Sequence, residues 1–160
     1  MARKVFFSFH YQRDAVRAGQ VRNSNVIKNN SIQTSDFIDG AKWEEVKRGG
    51  DQAIKNWIAQ QLKGTSVTVV LVGTKTSERK WVKYEIDESL KCGNGLLAIY
   101  IHNCRLFDGS TDLKGTNPFD KLSINGKLLS SIYKTYDWVN DNGRDNLGSW
   151  IEAAAKQAGR

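Results

Sequence analysis

The stretch VTVVLV at residues 67–72 decides the fold of this chain. It consists of six consecutive apolar or β-branched residues followed by Gly73, and such a run is typical of a strand buried on both faces. VFFSF at residues 5–9 and LLAIYI at residues 96–101 have the same character. Because segments with a helical spacing of apolar residues separate the three runs, the pattern predicts a mainly parallel sheet with helices on both sides.

Four amphipathic helices are predicted from this spacing. The first covers residues 12–22, the second runs from an N-cap at Asp51 to Leu62, the third covers 78–91 and the fourth covers 147–158. Less regular segments are predicted between them: a polar loop over 23–35, a short strand at 37–38, loops and turns over 107–126, and a last strand over 133–139.

Length and charge limit the classes of partner. A chain of 160 residues fits one domain, and we expect residues 1–160 to form a single unit. The formal net charge of +7 favours an anionic partner, or else serves only solubility. The basic residues are scattered without a dense tract, so we expect no nucleic-acid partner. The longest apolar runs are far shorter than the ~20 residues of a membrane helix, so we expect no membrane partner.

Few residues in the chain suit metal or disulfide chemistry. The two cysteines, Cys92 and Cys104, are isolated, which indicates reduced thiols and a cytoplasmic location. With only two histidines in the sequence, we expect no His/Cys metal site. Neither a GxGxxG nor a GxxxxGK[ST] motif occurs, so a Rossmann fingerprint and a P-loop are both excluded.

The residues after the first predicted strand are candidates for a ligand site. Open parallel sheets bind ligands beyond the carboxyl ends of their strands. Ser8, Phe9, His10, Tyr11 and Arg13 lie at such an end and offer a hydroxyl, aromatic rings, an imidazole and a guanidinium. The free amides of the following helix suit an anionic ligand. The alternative is that His10 and Tyr11 only cap and pack the start of this helix.

A second candidate lies on the third predicted helix. Trp81 and Glu85 are four residues apart, which places both side chains on one face, one turn apart. A flat aromatic ring beside a carboxylate suits a sugar or a base with a polarisable bond. Taken alone, the spacing favours a core tryptophan and a solvated helix charge over a functional pair.

Taken together, these segments resemble a TIR domain. KVFFSFH at residues 4–10 resembles the opening TIR strand, and VTVVLV, the Thr76-Ser77 loop and the Trp81…Glu85 helix follow in the TIR order. The stretches SFHYQRDAVRAGQVRNSNV, WEEVKRGGDQAIKNWIAQQLKGTSVTVVLVG, RKWVKYEI and GNGLLAIYIHN are similar to the TIR-like branch that supplies the sensor of the Thoeris anti-phage defence system. The resemblance is strong over residues 4–103 and weak beyond.

The resemblance implies a flavodoxin-like, three-layer α/β/α fold. It also implies cleavage of the nicotinamide–ribose bond of NAD+. Because NAD+ is then the substrate of the reaction, we expect no bound cofactor and no metal. The implied product is a cyclic ADP-ribose-type messenger that activates a separate effector protein in bacterial antiviral defence. The resemblance is also compatible with a phage-derived trigger as a partner and with association of the chain with itself.

The resemblance also implies roles for single residues. Glu85 matches the catalytic glutamate of the family. Residues that match the nucleotide-site segment are Phe9, His10 and Tyr11, with Asn23 and Ser24 as weaker matches. By their own chemistry, Phe9, Tyr11 and Trp81 suit stacking on nicotinamide or adenine, and Arg13 or Arg17 suits pairing with the diphosphate.

Three other functions compete with NAD+ cleavage as the interpretation of this sequence. The chain can act as a non-catalytic TIR-type interaction module, or as a flavin or nucleotide carrier on the same fold. A receiver-like phosphoacceptor fits poorly, because Ser8-Phe9-His10 provides no acidic pair for magnesium.

Overall fold

The computed structural model describes residues 3–24, 32–34 and 40–160. Its strands and helices are, in chain order, β1 (Arg3–Ser8), α1 (Ala15–Arg22), β2 (Ile32–Thr34), α2 (Gly40–Arg48), α3 (Gly50–Leu62), β3 (Val67–Val72), α4 (Lys80–Lys91), β4 (Gly95–Tyr100), β5 (Ser123–Ile124), β6 (Lys127–Leu128), β7 (Thr135–Asp137) and α5 (Gly143–Gln157). Short 3-10 helices lie at Thr76–Glu78, Pro118–Asp120 and Leu129–Ser131.

Five of the strands form one sheet in the order β2-β1-β3-β4-β7, and each of its described strand pairs is parallel. Every residue of β3 is at most 1% exposed, as the VTVVLV run predicts. Helices cover both faces of this sheet, which confirms the flavodoxin-like, three-layer α/β/α fold.

The register of β1 and β3 fixes which side chains face α4. Ser8 lies opposite Val70, and Phe6 lies opposite Thr68. Because side chains alternate along a strand, all four point to the same face of the sheet. α4 packs on this face, where Ile86 contacts the apolar cluster around Val70. α5 packs against the opposite face.

Besides the short 3-10 helices, the structure adds four elements that the sequence pattern does not predict: β2, α2, β5 and β6. β5 lies inside the segment predicted as loops and turns over 107–126. β2 lies inside the predicted loop over 23–35, and its three residues are too few to show an alternation. α2 has the sequence GAKWEEVKR, in which Trp43 and Val46 are the only large apolar residues, too few to make a stripe. The strand predicted at 37–38 lies outside the described residues.

Several predicted boundaries are wrong by a few residues. α1 begins at Ala15 rather than at residue 12, because residues 11–13 form a turn. Gly49 is the N-cap of α3, so Asp51 lies in the first turn of that helix. α5 begins four residues earlier than predicted, and β7 is shorter than the predicted last strand. Across residues 3–24, 32–34 and 40–160, none of the helices has the length and apolar character needed to cross a membrane.

Gly95 at the start of β4 has no room for a side chain. A Cβ atom there would lie 2.3 Å from the backbone oxygen of Ala154 in α5. We therefore expect Gly95→Ala to lower the free energy of unfolding by about 1–3 kcal/mol, because α5 would have to move away from the sheet. Gly19→Ala is the matched control: a Cβ atom there meets nothing within 4 Å, and alanine in a helix should add about 0.5–1 kcal/mol. Urea unfolding curves of the two variants would test the contrast, and equal midpoints would contradict it.

Candidate active site

Glu85 is the buried acid of α4. The helix places Val82, Glu85, Ile86 and Ser89 on the side that faces the sheet, and Glu85 is 0% exposed. The Ser8 hydroxyl, at the carboxyl end of β1, donates to Oε1 of Glu85 at 2.7 Å. The Tyr11 hydroxyl donates to Oε2. Both carboxylate oxygens therefore accept hydrogen bonds from hydroxyl groups at the end of β1 or just after it.

Burial dominates the ionisation of this carboxyl group. It raises the pKa of Glu85 from 4.5 to about 8, and the hydrogen bonds from Tyr11 and Ser8 oppose the rise only in part. Burial and the adjacent Glu85 also raise the pKa of Tyr11 well above its ordinary value, so its hydroxyl stays a donor. A carboxyl group that titrates near neutral pH at the carboxyl end of a parallel sheet is typical of a functional site.

Aromatic rings enclose Tyr11. The ring centroid of Phe9 lies 4.6 Å from that of Tyr11, and those of Trp43 and Trp57 lie at 4.9 and 5.7 Å. Tyr11 itself is 4% exposed. Trp43 comes from α2 and Trp57 from α3, so both helices contribute rings that cover Tyr11.

His10 precedes Tyr11 in the chain and is close to two guanidinium groups. Its Nδ1 accepts a hydrogen bond from the backbone amide of Arg13 at 3.3 Å. Partial burial lowers the pKa of His10, and the positive charges of Arg79 and Arg13 lower it further. The imidazole is therefore neutral at pH 7 and lies close to the guanidinium groups of Arg79 and Arg13.

Arg13 and Arg17 form ion pairs within the protein. Arg13 contacts Asp112 at 2.7 Å and Asp14 at 3.3 Å. Arg17 lies 3.6 Å from Asp112 and donates to the backbone oxygen of Cys104 at 2.9 Å. These contacts fasten α1 to the chain that follows β4, so an arginine that bound a diphosphate would have to exchange its partner.

Comparison with known proteins identifies the family. Residues 6–105 match the family model described as "Thoeris protein ThsB, TIR-like domain". This chain belongs to the Thoeris ThsB TIR-like family. A protein of Bacillus cereus (strain MSX-D12) named "Putative cyclic ADP-D-ribose synthase ThsB1" is 36% identical over 193 aligned positions, which cover 94% of this chain and 100% of that protein. The resemblance seen in the sequence is thereby confirmed, and residues 6–105 include Ser8 at the end of β1 and the whole of α4.

The structure brings together part of the set of site residues expected from the Thoeris resemblance. Ser8, Tyr11 and Glu85 are in direct contact, and Phe9 packs on Tyr11. Trp81 lies one turn before Glu85 in α4, is 8% exposed, and packs edge-on against Tyr84 with the ring centroids 5.5 Å apart.

Asn23 lies apart from the other site residues. It follows the last residue of α1, whose eight residues span about 12 Å. There it lines a separate cavity of about 620 Å³, together with Ser24, Phe107 and Arg144.

Three residues near the site are not found by the sequence pattern. Trp43 lies in a segment without a helical stripe, Trp57 reads as an ordinary core residue of its helix, and Arg79 precedes the helix that carries Glu85. The place of Trp57 beside the buried residues Ile54 and Ile58 of α3 is the one signal that marks a buried contact. In the described ranges, no group of three or more His, Cys, Asp and Glu side chains is arranged to hold a metal ion.

Proposed function

We propose that this protein cleaves the nicotinamide–ribose bond of NAD+ and closes the remaining ADP-ribose into a cyclic product, with Glu85 as the catalytic residue. The single observation that carries the proposal is the buried Glu85 carboxyl group, which lies at the carboxyl end of the sheet and has a pKa raised to about 8. Membership of the Thoeris ThsB family and the name of the B. cereus relative support the same substrate.

The chemistry of the bond suits a single carboxylate. The glycosidic C–N bond breaks, and its electron pair leaves with the nicotinamide, which was a cation and becomes neutral. The ribose then carries an oxocarbenium-like positive charge, as in glycoside hydrolysis. A negative charge held beside the ribose stabilises this charge, and it acts strongly because the site is shielded from water. The positive ring of bound NAD+ would itself favour the ionised form of Glu85.

Ring closure requires a nucleophile of the same molecule to reach the anomeric carbon before water does. Holding the substrate in a folded conformation supplies the effective concentration for this step. The rings of Phe9, Trp43 and Trp57 pack around Tyr11, and they could stack on a base and exclude water only after Tyr11 has moved. A hydroxyl nucleophile would lose its proton, and the Glu85 carboxylate, with a pKa of about 8, suits the role of its acceptor.

Access to Glu85 requires Tyr11 to move. Ser8, Tyr11 and Glu85 are each at most 4% exposed, so no ribose can contact the carboxylate in the conformation described. The ribose hydroxyls are O–H donors like that of Tyr11, and they would replace it at Oε2 of Glu85. We therefore expect substrate binding to include displacement of the Tyr11 ring from the contacts with Trp43 and Trp57.

The test is incubation of the purified protein with NAD+. Liquid chromatography would measure free nicotinamide, and mass spectrometry would identify the cyclic product. A second arm adds lysate from phage-infected cells, because a defence sensor is expected to act on infection and to address its effector through the messenger. Absence of nicotinamide release in both arms would contradict the proposal.

The second candidate function is that of a non-catalytic interaction module. The observation that favours it is the exposure of two apolar side chains on the 620 Å³ cavity beside α1: Val16 is 51% exposed and Phe107 104%. Exposed apolar side chains that share one surface are typical of contact sites. Sedimentation of the wild type and of Phe107→Ser would measure self-association, which this function requires and the enzymatic function does not.

A further inference from the structure

A second cavity lies at the amino end of the sheet, away from Ser8 and Glu85. It has a volume of about 560 Å³ and opens between the end of α3, the outer side of α4 and the residues that precede β3 and β4. Leu62, Lys63, Ser66, Tyr84 and Asn94 line it. We call it the amino-end cavity. Its volume lies in the range of ordinary small-molecule sites.

The amino-end cavity is bordered by polar groups without partners. Asn94 is 3% exposed, and its side-chain nitrogen donates to Thr65 at 2.9 Å and to Thr68 at 3.3 Å. Its side-chain oxygen is buried and has no hydrogen-bond partner, and the same holds for the Ser66 hydroxyl. A buried acceptor without a donor is costly, so a ligand N–H group that reached Asn94 would be strongly favoured.

The walls of the amino-end cavity suit a flat ring with a negative group. Leu62 and the Tyr84 ring provide an apolar surface, and Lys63 and Arg160 bring positive charge. The carboxylate of Glu88 also lines the cavity, but Lys91 lies 3.5 Å from it. The balance of charge is positive, which selects an anion. A purine or pyrimidine base with an exocyclic amine, joined to a phosphate, meets all of these conditions.

A chain of buried hydrogen bonds connects the amino-end cavity to the helix that carries Glu85. Asn94 donates to Thr68, the Thr68 and Ser89 hydroxyls lie 2.7 Å apart, and Ser89 donates to the backbone oxygen of Glu85 at 2.6 Å. Each member of the chain is at most 3% exposed. A ligand that changed the position of Asn94 would therefore act on the turn of α4 that holds Glu85.

We propose that the amino-end cavity is an effector site for a nucleoside monophosphate, and that the ligand acts on Glu85 through Asn94, Thr68 and Ser89. The base donates its amine N–H to the Asn94 oxygen, and the phosphate lies beside Lys63. The binding half of this proposal stands by itself, and the regulatory half rests on the proposed NAD+-cleaving function.

Cys92 supplies a reporter for binding that does not depend on activity. Its side chain is exposed and lines the amino-end cavity. The other cysteine, Cys104, is buried, and burial raises its pKa to about 11, so it reacts slowly with a thiol reagent. Mass spectrometry of the folded protein after timed exposure to a maleimide would therefore measure labelling at Cys92.

The test compares labelling rates with and without adenosine monophosphate. At about ten times the dissociation constant, the nucleotide should slow Cys92 labelling by about tenfold, because labelling proceeds only in the unoccupied fraction. Lys63→Glu should abolish this protection. Lys121→Glu, at an exposed lysine that does not line the cavity, should leave it unchanged. An unaffected labelling rate, or equal protection by inorganic phosphate alone, would overturn the binding claim.

Two further arms separate this proposal from the proposed function. Protection of Cys92 should persist in Glu85→Gln, whatever that variant does to NAD+. Adenosine monophosphate should also change the rate of nicotinamide release in the wild type and not in Lys63→Glu. Protection without any change in rate would overturn the regulatory half.

Discussion

Glu85→Gln should lower the rate of nicotinamide release from NAD+ by about 100-fold or more and leave the fold intact. Glutamine has nearly the same shape and keeps an oxygen that accepts from Ser8 or Tyr11, but it carries no charge to oppose the positive ribose. Loss of one such electrostatic contact in a water-excluded site costs on the order of 10²–10³ in rate. Initial rates with saturating NAD+ would measure the loss, and circular dichroism would check the fold.

Asp87→Asn is the matched control for this variant. It makes the same change from acid to amide on the same helix, two residues away, but at a position that faces solvent. We expect its rate of nicotinamide release to equal that of the wild type. Equal losses in both variants would indicate a general effect on α4, and full activity in Glu85→Gln would remove the carboxylate from the mechanism.

The sequence predicts those strands and helices whose pattern of apolar residues follows directly from the faces that they bury. A run such as residues 67–72 consists only of apolar or β-branched residues because both faces of the strand are covered, and β3 has the predicted bounds. Glu85 could be placed on its helix because Trp81, Val82, Ile86 and Leu90 recur at helical spacing around it. The order of strands and helices then places this helix beside the end of β1.

The parts that sequence does not predict depend on contacts distant in the chain. Trp43 is buried by the rings of Tyr11 and Trp57, and nothing in its own segment shows this. Arg13 reads as a free basic residue until Asp112, 99 positions later, is seen to pair with it. The complete burial of Glu85 is also a tertiary effect, because its spacing on the helix alone favours a solvated charge.

Glu85→Gln should also make the protein more stable at alkaline pH and leave its stability at acid pH almost unchanged. The unfolded chain releases the Glu85 proton near pH 4.5, but the folded protein holds it until its pKa of about 8. Between these values the folded state binds more protons, so the free energy of unfolding falls as the pH rises. At 1.36 kcal/mol for each pKa unit, the difference between 4.5 and about 8 lowers the free energy of unfolding by roughly 5 kcal/mol. The full loss is reached above pH 8. Glutamine does not ionise and carries no such penalty.

Urea unfolding of the wild type and of Glu85→Gln at pH 5 and at pH 9 would measure the difference in their free energies of unfolding. Every other titrating group is common to the two proteins. Tyr11→Phe serves as a second variant: the Tyr11 hydrogen bond lowers the pKa of Glu85, so its removal should extend the loss of stability to higher pH. An equal gain for Glu85→Gln at both pH values would show that Glu85 ionises in the folded protein as it does in water. A pH-dependent gain would mean that the folded chain retains a destabilising buried acid, and such a cost is expected where a group serves catalysis rather than folding.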